Sequence, residues 1–204
     1  EASIVSLVGP GGVGKTRLAV EFARGHAGRP WSFCSAADVR STAELVTALA
    51  QCLEVSATGT RSQEELLARI VRYLSTAPAQ VCILDNLEDC TPAACEVLTE
   101  LWDTETQFLT TSRLPLGVRG EQPLPIPPLR GEAPIHDAME LFFARVPERA
   151  LVPVDRQRDR AVVEDLVTSL DGLPLAIELA AARLELLTLG ELSARLTQRF
   201  SVLR

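Results

Sequence analysis

The chain is poor in several residue types, and each shortage narrows what it can be. Aromatics make up only 4% of the 204 residues, so with 47% hydrophobic content the core must be mostly aliphatic. Histidine is nearly absent (His26 and His136), and Cys34, Cys52, Cys82, Cys90 and Cys95 are scattered without a C-x-x-C pair. A metal cage is therefore not expected, and free thiols in a reducing cytosol are the better reading. No signal peptide is evident, and the most apolar stretch, residues 173–189, is interrupted by Glu178, Arg183 and Glu185, which argues against a membrane span. There is no excess of positive charge: the formal net charge of −7 argues against nucleic-acid binding by this segment itself. Lysine occurs once, at Lys15, and the remaining basic residues are arginines, which reads as compositional bias. There is no internal repeat and no low-complexity segment. The chain has no initiator Met and starts almost on its first strand, so it is expected to be a piece of a longer protein.

That single lysine sits in the most informative stretch, Gly9-Pro10-Gly11-Gly12-Val13-Gly14-Lys15-Thr16. It fits G-x-x-x-x-G-K-[ST], the phosphate-binding P-loop. Glycines allow positive φ and bring backbone N–H groups close to phosphate oxygens. Lys15 places a positive charge on the β- and γ-phosphates, and the Thr16 hydroxyl is a ligand for Mg²⁺. The context has the required order. Residues 3–8 read as a buried strand, and 17–23 as a helix with Leu18, Ala19, Phe22 and Ala23 on one face. That helix aims its N-terminal dipole at the same anion. Gly9, Gly11, Gly12, Val13, Gly14, Lys15, Thr16 and Arg17 are the expected nucleotide-binding residues of this stretch.

Further along, 31–34 reads as a second strand. Ser41-Thr42-Ala43-Glu44 and Ser62-Gln63-Glu64-Glu65 are capping-box patterns, each opening a helix. Residues 80–84 form a third strand ending in Asp85. Thr91-Pro92 looks like an N-cap with proline at the first helical position, leading a helix to about Trp102. A fourth strand spans 107–111, and 122–126 is a fifth that its prolines confine to an edge. Alternating strands and helices predict a five-stranded parallel sheet covered on both faces. From about Pro134 the pattern is helical only, with stripes Ile135/Met139/Phe142/Val146 and Val162/Val163/Leu166/Val167/Leu170. An apolar helix from Pro174 to about Leu187 follows, then a capped last helix bearing Leu192, Leu196 and Phe200. The expected organisation is a P-loop nucleotide-binding domain over 1–130 and a small helical domain over 131–204.

Residues 81–85 have the form of a Walker B strand, four apolar residues delivering Asp85 to the sheet edge where ligands of open α/β sheets bind. Asp85 can hold Mg²⁺, directly or through water, opposite Thr16. Glu88 and Asp89 follow closely; either can polarise a water, or both are solvated loop charges. Arg113, just past the fourth strand, is placed to sense a γ-phosphate or is a surface arginine.

Taken together these residues resemble a family. Gly9 to Thr16, Leu84-Asp85-Asn86-Leu87-Glu88, Thr110-Thr111-Ser112-Arg113-Leu114-Pro115-Leu116-Gly117 and Gly172-Leu173-Pro174-Leu175-Ala176 occur in order. The chain looks like the signal-transduction ATPases with numerous domains (STAND), most of all the NB-ARC-like, AP-ATPase-like modules of bacterial transcriptional regulators. The resemblance implies adenine nucleotide (ATP or ADP) and Mg²⁺ as ligands. It also implies catalytic roles for Lys15, Asp85 and Arg113, and a place near the base or sugar for Pro174. Many relatives carry a second acid after the Walker B Asp; Asn86 stands there instead and cannot take a proton, so slow hydrolysis, or use of Glu88, is expected.

The expected function is a cytoplasmic ATP/ADP switch, controlling effector and sensor domains outside this chain. The resemblance leaves room for nucleotide-driven oligomerisation in the full-length protein. The alternatives are a non-hydrolysing nucleotide-binding scaffold and a small-molecule P-loop kinase, which would need a basic lid; Arg119 and Arg130 flank the proline-rich loop where one could sit.

Overall fold

The computed structural model describes residues 4–25, 28–130 and 132–201, excepting the side chains of residues 132, 133, 197 and 199–201. It divides into two compact units: Glu1–Gly9 with Lys15–Ile126, and Pro10–Gly14 with Pro127–Arg204.

The first unit is built on five strands, β1 (Ile4–Val8), β2 (Trp31–Ser35), β3 (Val81–Asp85), β4 (Gln107–Ser112) and β5 (Glu121–Pro125). All neighbours pair in parallel, in the order β2-β3-β4-β1-β5. Four helices accompany them: α1 (Lys15–Gly25), α2 (Thr42–Cys52), α3 (Gln63–Thr76) and α4 (Thr91–Glu100). Strand alternation sorts the core into two layers. Ile4, Cys82, Leu84 and Phe108 point to one face and pack with Leu45, Leu49, Ile70, Leu74, Val97 and Leu98 from α2–α4. Leu7, Val81, Ile83 and Leu109 point to the other and pack with Ala19 and Ala23 of α1. β3 is buried along its whole length because both layers press on it.

β5 lies on the edge, as its prolines require. The Ile126 N–H donates to Val8 O, so in a parallel ladder the nitrogens of Leu124 and Gln122 also face β1. Pro123 and Pro125 then turn their missing N–H groups outward, where no ladder bond is lost. The two capping boxes form as expected. Ser41 and Ser62 accept from the N–H groups of Glu44 and Glu65, which accept in return from the N–H groups of Arg40 and Arg61.

Three details differ from expectation. Leu18 and Phe22 are each 45% exposed: α1 turns its small residues Ala19 and Ala23 to the sheet, and the larger pair borders an apolar cavity of about 380 Å³ with Val5 and Leu124. The helix after β3 ends at Glu100, and its N-cap is Cys90; Thr91 sits inside the first turn, its hydroxyl donating back to Leu87 O. Between β3 and α4 lies a 3₁₀ turn, Leu87–Asp89, entered through Asn86 in the left-handed region (φ 67°).

The second unit contains α5 (Glu132–Arg145), α6 (Arg160–Ser169), α7 (Pro174–Ala182) and α8 (Leu189–Ser201). Met139, Phe142, Val163, Leu166, Val167, Ile177 and Leu184 form its core. Val162 is 38% exposed rather than part of that stripe, and the apolar helix ends at Ala182 in a 3₁₀ turn rather than running to Leu187. Thr188 and Glu191 exchange capping hydrogen bonds at the start of α8. Phe200, expected on the α8 stripe, falls outside the described side chains.

Candidate functional site

In the first unit the chemistry gathers at the C-terminal edge of the sheet. β1 leads to Gly9, whose N–H donates to Ser112 O at the end of β4. Lys15, 8% exposed at the start of α1, donates from Nζ to Gly9 O at 2.8 Å. The next residue, Thr16, donates from Oγ1 to Asp85 Oδ1 at 2.7 Å. The same carboxylate oxygen accepts from the Thr111 hydroxyl at 2.7 Å. Thr111 Oγ1 in turn accepts from the Asn86 N–H at 2.9 Å. Asp85 is thus held by hydroxyls of two other elements, and the backbone after it is pinned by the same threonine.

Thr111 was not singled out by the sequence reading, although a signal was present. Thr110, Thr111 and Ser112 are three hydroxyl residues in succession on a central strand, each at most 2% exposed. Buried hydroxyls need partners. Thr110 finds Ser6 on β1 (2.7 Å) and Thr111 finds Asp85 on β3. The strand order creates the second pair by inserting β4 between β1 and β3.

Glu88 lies in the 3₁₀ turn with its side chain 14% exposed. Its Oε1 accepts from Arg113 Nε at 3.2 Å, while Oε2 is buried without a hydrogen-bond partner. Arg113 itself is 66% exposed. Asp89 points elsewhere, to Arg40 at 3.7 Å. Asn86 has a backbone reason for its identity, since Asn is among the few residues that enter the left-handed region readily. Arg17 is exposed on the first turn of α1.

The Lys15 ammonium is surrounded by mixed charge. Burial is the largest influence and pulls its pKa below the ordinary lysine value; Glu88 opposes this, Arg113 adds to it, and Asp85 opposes it. A depressed pKa leaves more free amine at a given alkaline pH than an exposed lysine would have. Lys15 is the chain's sole ε-amine, so acylation there is read directly by peptide mass. We expect an amine-reactive reagent to modify Lys15 below the usual lysine range in the nucleotide-free chain, and saturating Mg-ATP or Mg-ADP to block it. Equal labelling with and without nucleotide would place Lys15 away from the phosphates.

Thr16 Oγ1 and Asp85 Oδ1 are hard oxygen donors 2.7 Å apart. Adjacent ligands of an octahedral Mg²⁺ at 2.0–2.1 Å are separated by about 2.9 Å, so the pair fits that ion.

The remaining loop residues, 10–14, belong to the second unit. Gly12 and Gly14 take positive φ, 78° and 98°. A Cβ on Gly12 would stand 2.9 Å from Leu175 Cβ, and Gly12 O accepts from the Leu175 N–H at 3.1 Å. Val13 is buried and Gly11 is open to solvent. Pro174 occupies the first position of α7, one residue before Leu175.

The model of the AAA domain family matches residues 1–121. Among curated proteins, a Mycobacterium tuberculosis protein named as an HTH-type transcriptional regulator is 30% identical over 203 residues, covering 98% of this chain and 22% of the relative. An uncharacterized M. tuberculosis protein is 34% identical over 210 residues, covering 97% of this chain and 50% of the relative. This chain therefore spans half or less of the relatives it matches. Among solved structures, a Pyrococcus horikoshii STAND protein with a tetratricopeptide repeat sensor aligns with TM-score 0.58 at 17% identity, over 97% of this chain and 30% of that one. The Aeropyrum pernix ORC1 protein, solved in complex with DNA, aligns with TM-score 0.62 at 16% identity, over 98% and 59% of the two chains. At these identities the structural likenesses speak for the fold: a P-loop NTPase sheet flanked by helices.

Proposed function

Since the chain belongs to the AAA domain family, whose model matches more than half of it, we propose that it is the adenine-nucleotide switch of a larger STAND-type, NB-ARC-like regulator, hydrolysing ATP slowly. The observation that carries this reading is the chain of hydrogen bonds from Thr16 through Asp85 to Thr111 and Asn86, beside a buried Lys15. It links the helix after the phosphate loop to two strand ends through one carboxylate. A change at Thr16 is thereby passed to the β4 end that carries Arg113.

In this reading the loop 9–14 and Arg17 cradle and flank the phosphates, and Lys15 neutralises them. Pro174 lies near the base or sugar, and Thr16 and Asp85 hold Mg²⁺. The ion, when bound, supplies charge stabilisation to the phosphoryl oxygens. Arg113 is drawn to the γ-phosphate and leaves Glu88, whose unpartnered oxygen then accepts the proton of the attacking water. Positioning and electrostatics do most of the catalytic work. Effector and sensor domains lie in the remainder of such a regulator, as the 22% coverage of the transcriptional-regulator relative suggests. Nucleotide-driven oligomerisation belongs to that larger assembly.

The net charge of −7 supports a segment that does not itself hold nucleic acid. No helix of the described residues is long and apolar enough to cross a membrane. With all five cysteines free, a cytoplasmic setting is the reading we favour. A non-hydrolysing scaffold is the competing reading, and Asn86 at the position of a second acid favours it. A kinase reading has less behind it: Arg119 stacks over Trp102 at 5.8 Å and Arg130 pairs with Asp171, so both arginines are engaged.

Arg113→Ala is expected to weaken ATP binding more than ADP binding, by about 1.5–3 kcal/mol for one charge-assisted hydrogen bond. Calorimetry with both nucleotides decides it, and an equal loss for the two removes Arg113 from the γ-phosphate.

A further inference from the structure

The nucleotide reading makes no use of a groove in the second unit. It lies between α7 and α8 and has a volume of about 760 Å³. Leu179, Leu187, Leu192 and Leu196 line it, with Arg183 on the α7 side and Arg195 on α8. Leu192 is 5% exposed and, with Leu187 and Leu196, belongs to the unit's own core, so the groove floor is the outer side of that core. Leu179 on its wall is 61% exposed and nearby Leu186 is 71% exposed. Leu192 and Leu196 stand one turn apart, as do Leu179 and Arg183, so two rows of side chains run along neighbouring helices. Apolar rows of this kind receive a third helix laid in the groove.

The charges say what kind of helix. Five other arginines of this unit are matched: Arg130 with Asp171, Arg145 with Glu178, Arg149 with Glu185, Arg156 with Glu140 and Arg158 with Asp159. The exposed Arg160 forms no ion pair among the described residues but lies away from the groove lining. Among the described residues no acid forms an ion pair with Arg183 or Arg195. The acids nearest in sequence make their hydrogen bonds and ion pairs elsewhere, Glu185 to Arg149 and Glu191 to the Thr188 N–H and hydroxyl, although Arg195 still lowers the Glu191 pKa through its charge. Two cations without an ion pair among the described residues thus border an apolar floor, Arg183 with none of the nearby acids turned to it and Arg195 only partly offset by the charge of Glu191.

We propose that the α7–α8 groove docks an acidic amphipathic helix, whose apolar side chains enter among Leu179, Leu187, Leu192 and Leu196 and whose flanking carboxylates meet Arg183 and Arg195. The docking does not depend on nucleotide chemistry. The rim charges set orientation and discriminate against basic helices, and the leucines supply affinity.

The test uses two labelled synthetic peptides of about 18 residues, roughly five turns. Both carry leucines at i, i+3, i+4 and i+7; one has glutamates on the flanking positions, the other lysines. Fluorescence anisotropy with the 204-residue chain should show the glutamate peptide binding at least about tenfold more tightly, a difference of roughly 1.4 kcal/mol. The double variant Arg183→Glu/Arg195→Glu should reverse the preference, and Leu179→Asp should weaken both peptides. Because all these positions are exposed or rim residues, each variant is checked for a native circular dichroism spectrum, and the reversal of preference is a gain that misfolding does not produce. Equal affinity for the two peptides overturns the proposal, as does an unchanged preference in the double variant. Sedimentation showing that the chain pairs with itself, with Leu179→Asp abolishing the pairing, would make the groove a homotypic interface and overturn it as well.

Discussion

In the variant Glu88→Gln, single-turnover phosphate release from ATP should fall by about 10²-fold or more, the usual cost of losing a general base. That corresponds to roughly 2.7 kcal/mol of barrier. Glutamine keeps the size of the side chain and a carbonyl oxygen for the Arg113 Nε contact now 3.2 Å long. What it loses is the ability to take a proton. The buried, unpartnered Oε2 is the group at stake, because Asn86, two positions earlier, has only an amide to offer. ATP affinity, measured in parallel, should not fall, since Glu88 repels rather than attracts phosphate. Release at the parent rate would remove Glu88 from the chemistry. If the parent chain itself releases no phosphate in a single turnover while still binding ATP, the non-hydrolysing scaffold is the correct reading.

The second large effect is on stability, at Gly172. This residue follows α6 with φ 63°, and its carbonyl accepts from the Leu129 N–H at 2.9 Å. A Cβ there would stand 2.2 Å from Leu129 O and 2.6 Å from Leu129 C, which are backbone atoms and cannot rotate away. The left-handed conformation costs a non-glycine residue about 1–2 kcal/mol, and overpacking adds about 1–3 kcal/mol. Gly172→Ala should therefore lose about 2–5 kcal/mol, a large share of an ordinary domain's stability. Gly59→Ala is the matched control: its φ is 80°, but nothing lies within 4 Å of the added methyl. Urea unfolding followed by far-ultraviolet circular dichroism compares the two through their midpoints. A Gly172→Ala variant no less stable than Gly59→Ala would show that the Leu129 backbone yields. In sequence, Gly172-Leu173-Pro174 reads as helix punctuation; the tertiary pairing adds a reason why no side chain fits.

What the sequence determined by itself was local chemistry and order. The phosphate loop was legible because its chemistry depends on residue types within eight consecutive positions. The caps at Ser41, Ser62 and Thr188 were legible because donor and acceptor lie three residues apart. The edge position of β5 followed from Pro123 and Pro125, which lack an N–H for the ladder. Strand identity and the arrival of Asp85 at the sheet edge followed from apolar runs ending in an acid. Strand order was decided only by the tertiary structure, since the same alternation of elements permits several crossovers. With β4 between β1 and β3, Thr111 meets Asp85 across 26 residues of chain, and Arg113 meets Glu88 across 25. The face that α1 buries was likewise decided there: helical spacing grouped Leu18 and Phe22 with Ala19 and Ala23, and only close approach to the sheet favoured the alanines. A local pattern fixes which groups need a partner, but where each partner stands depends on the path of the whole chain.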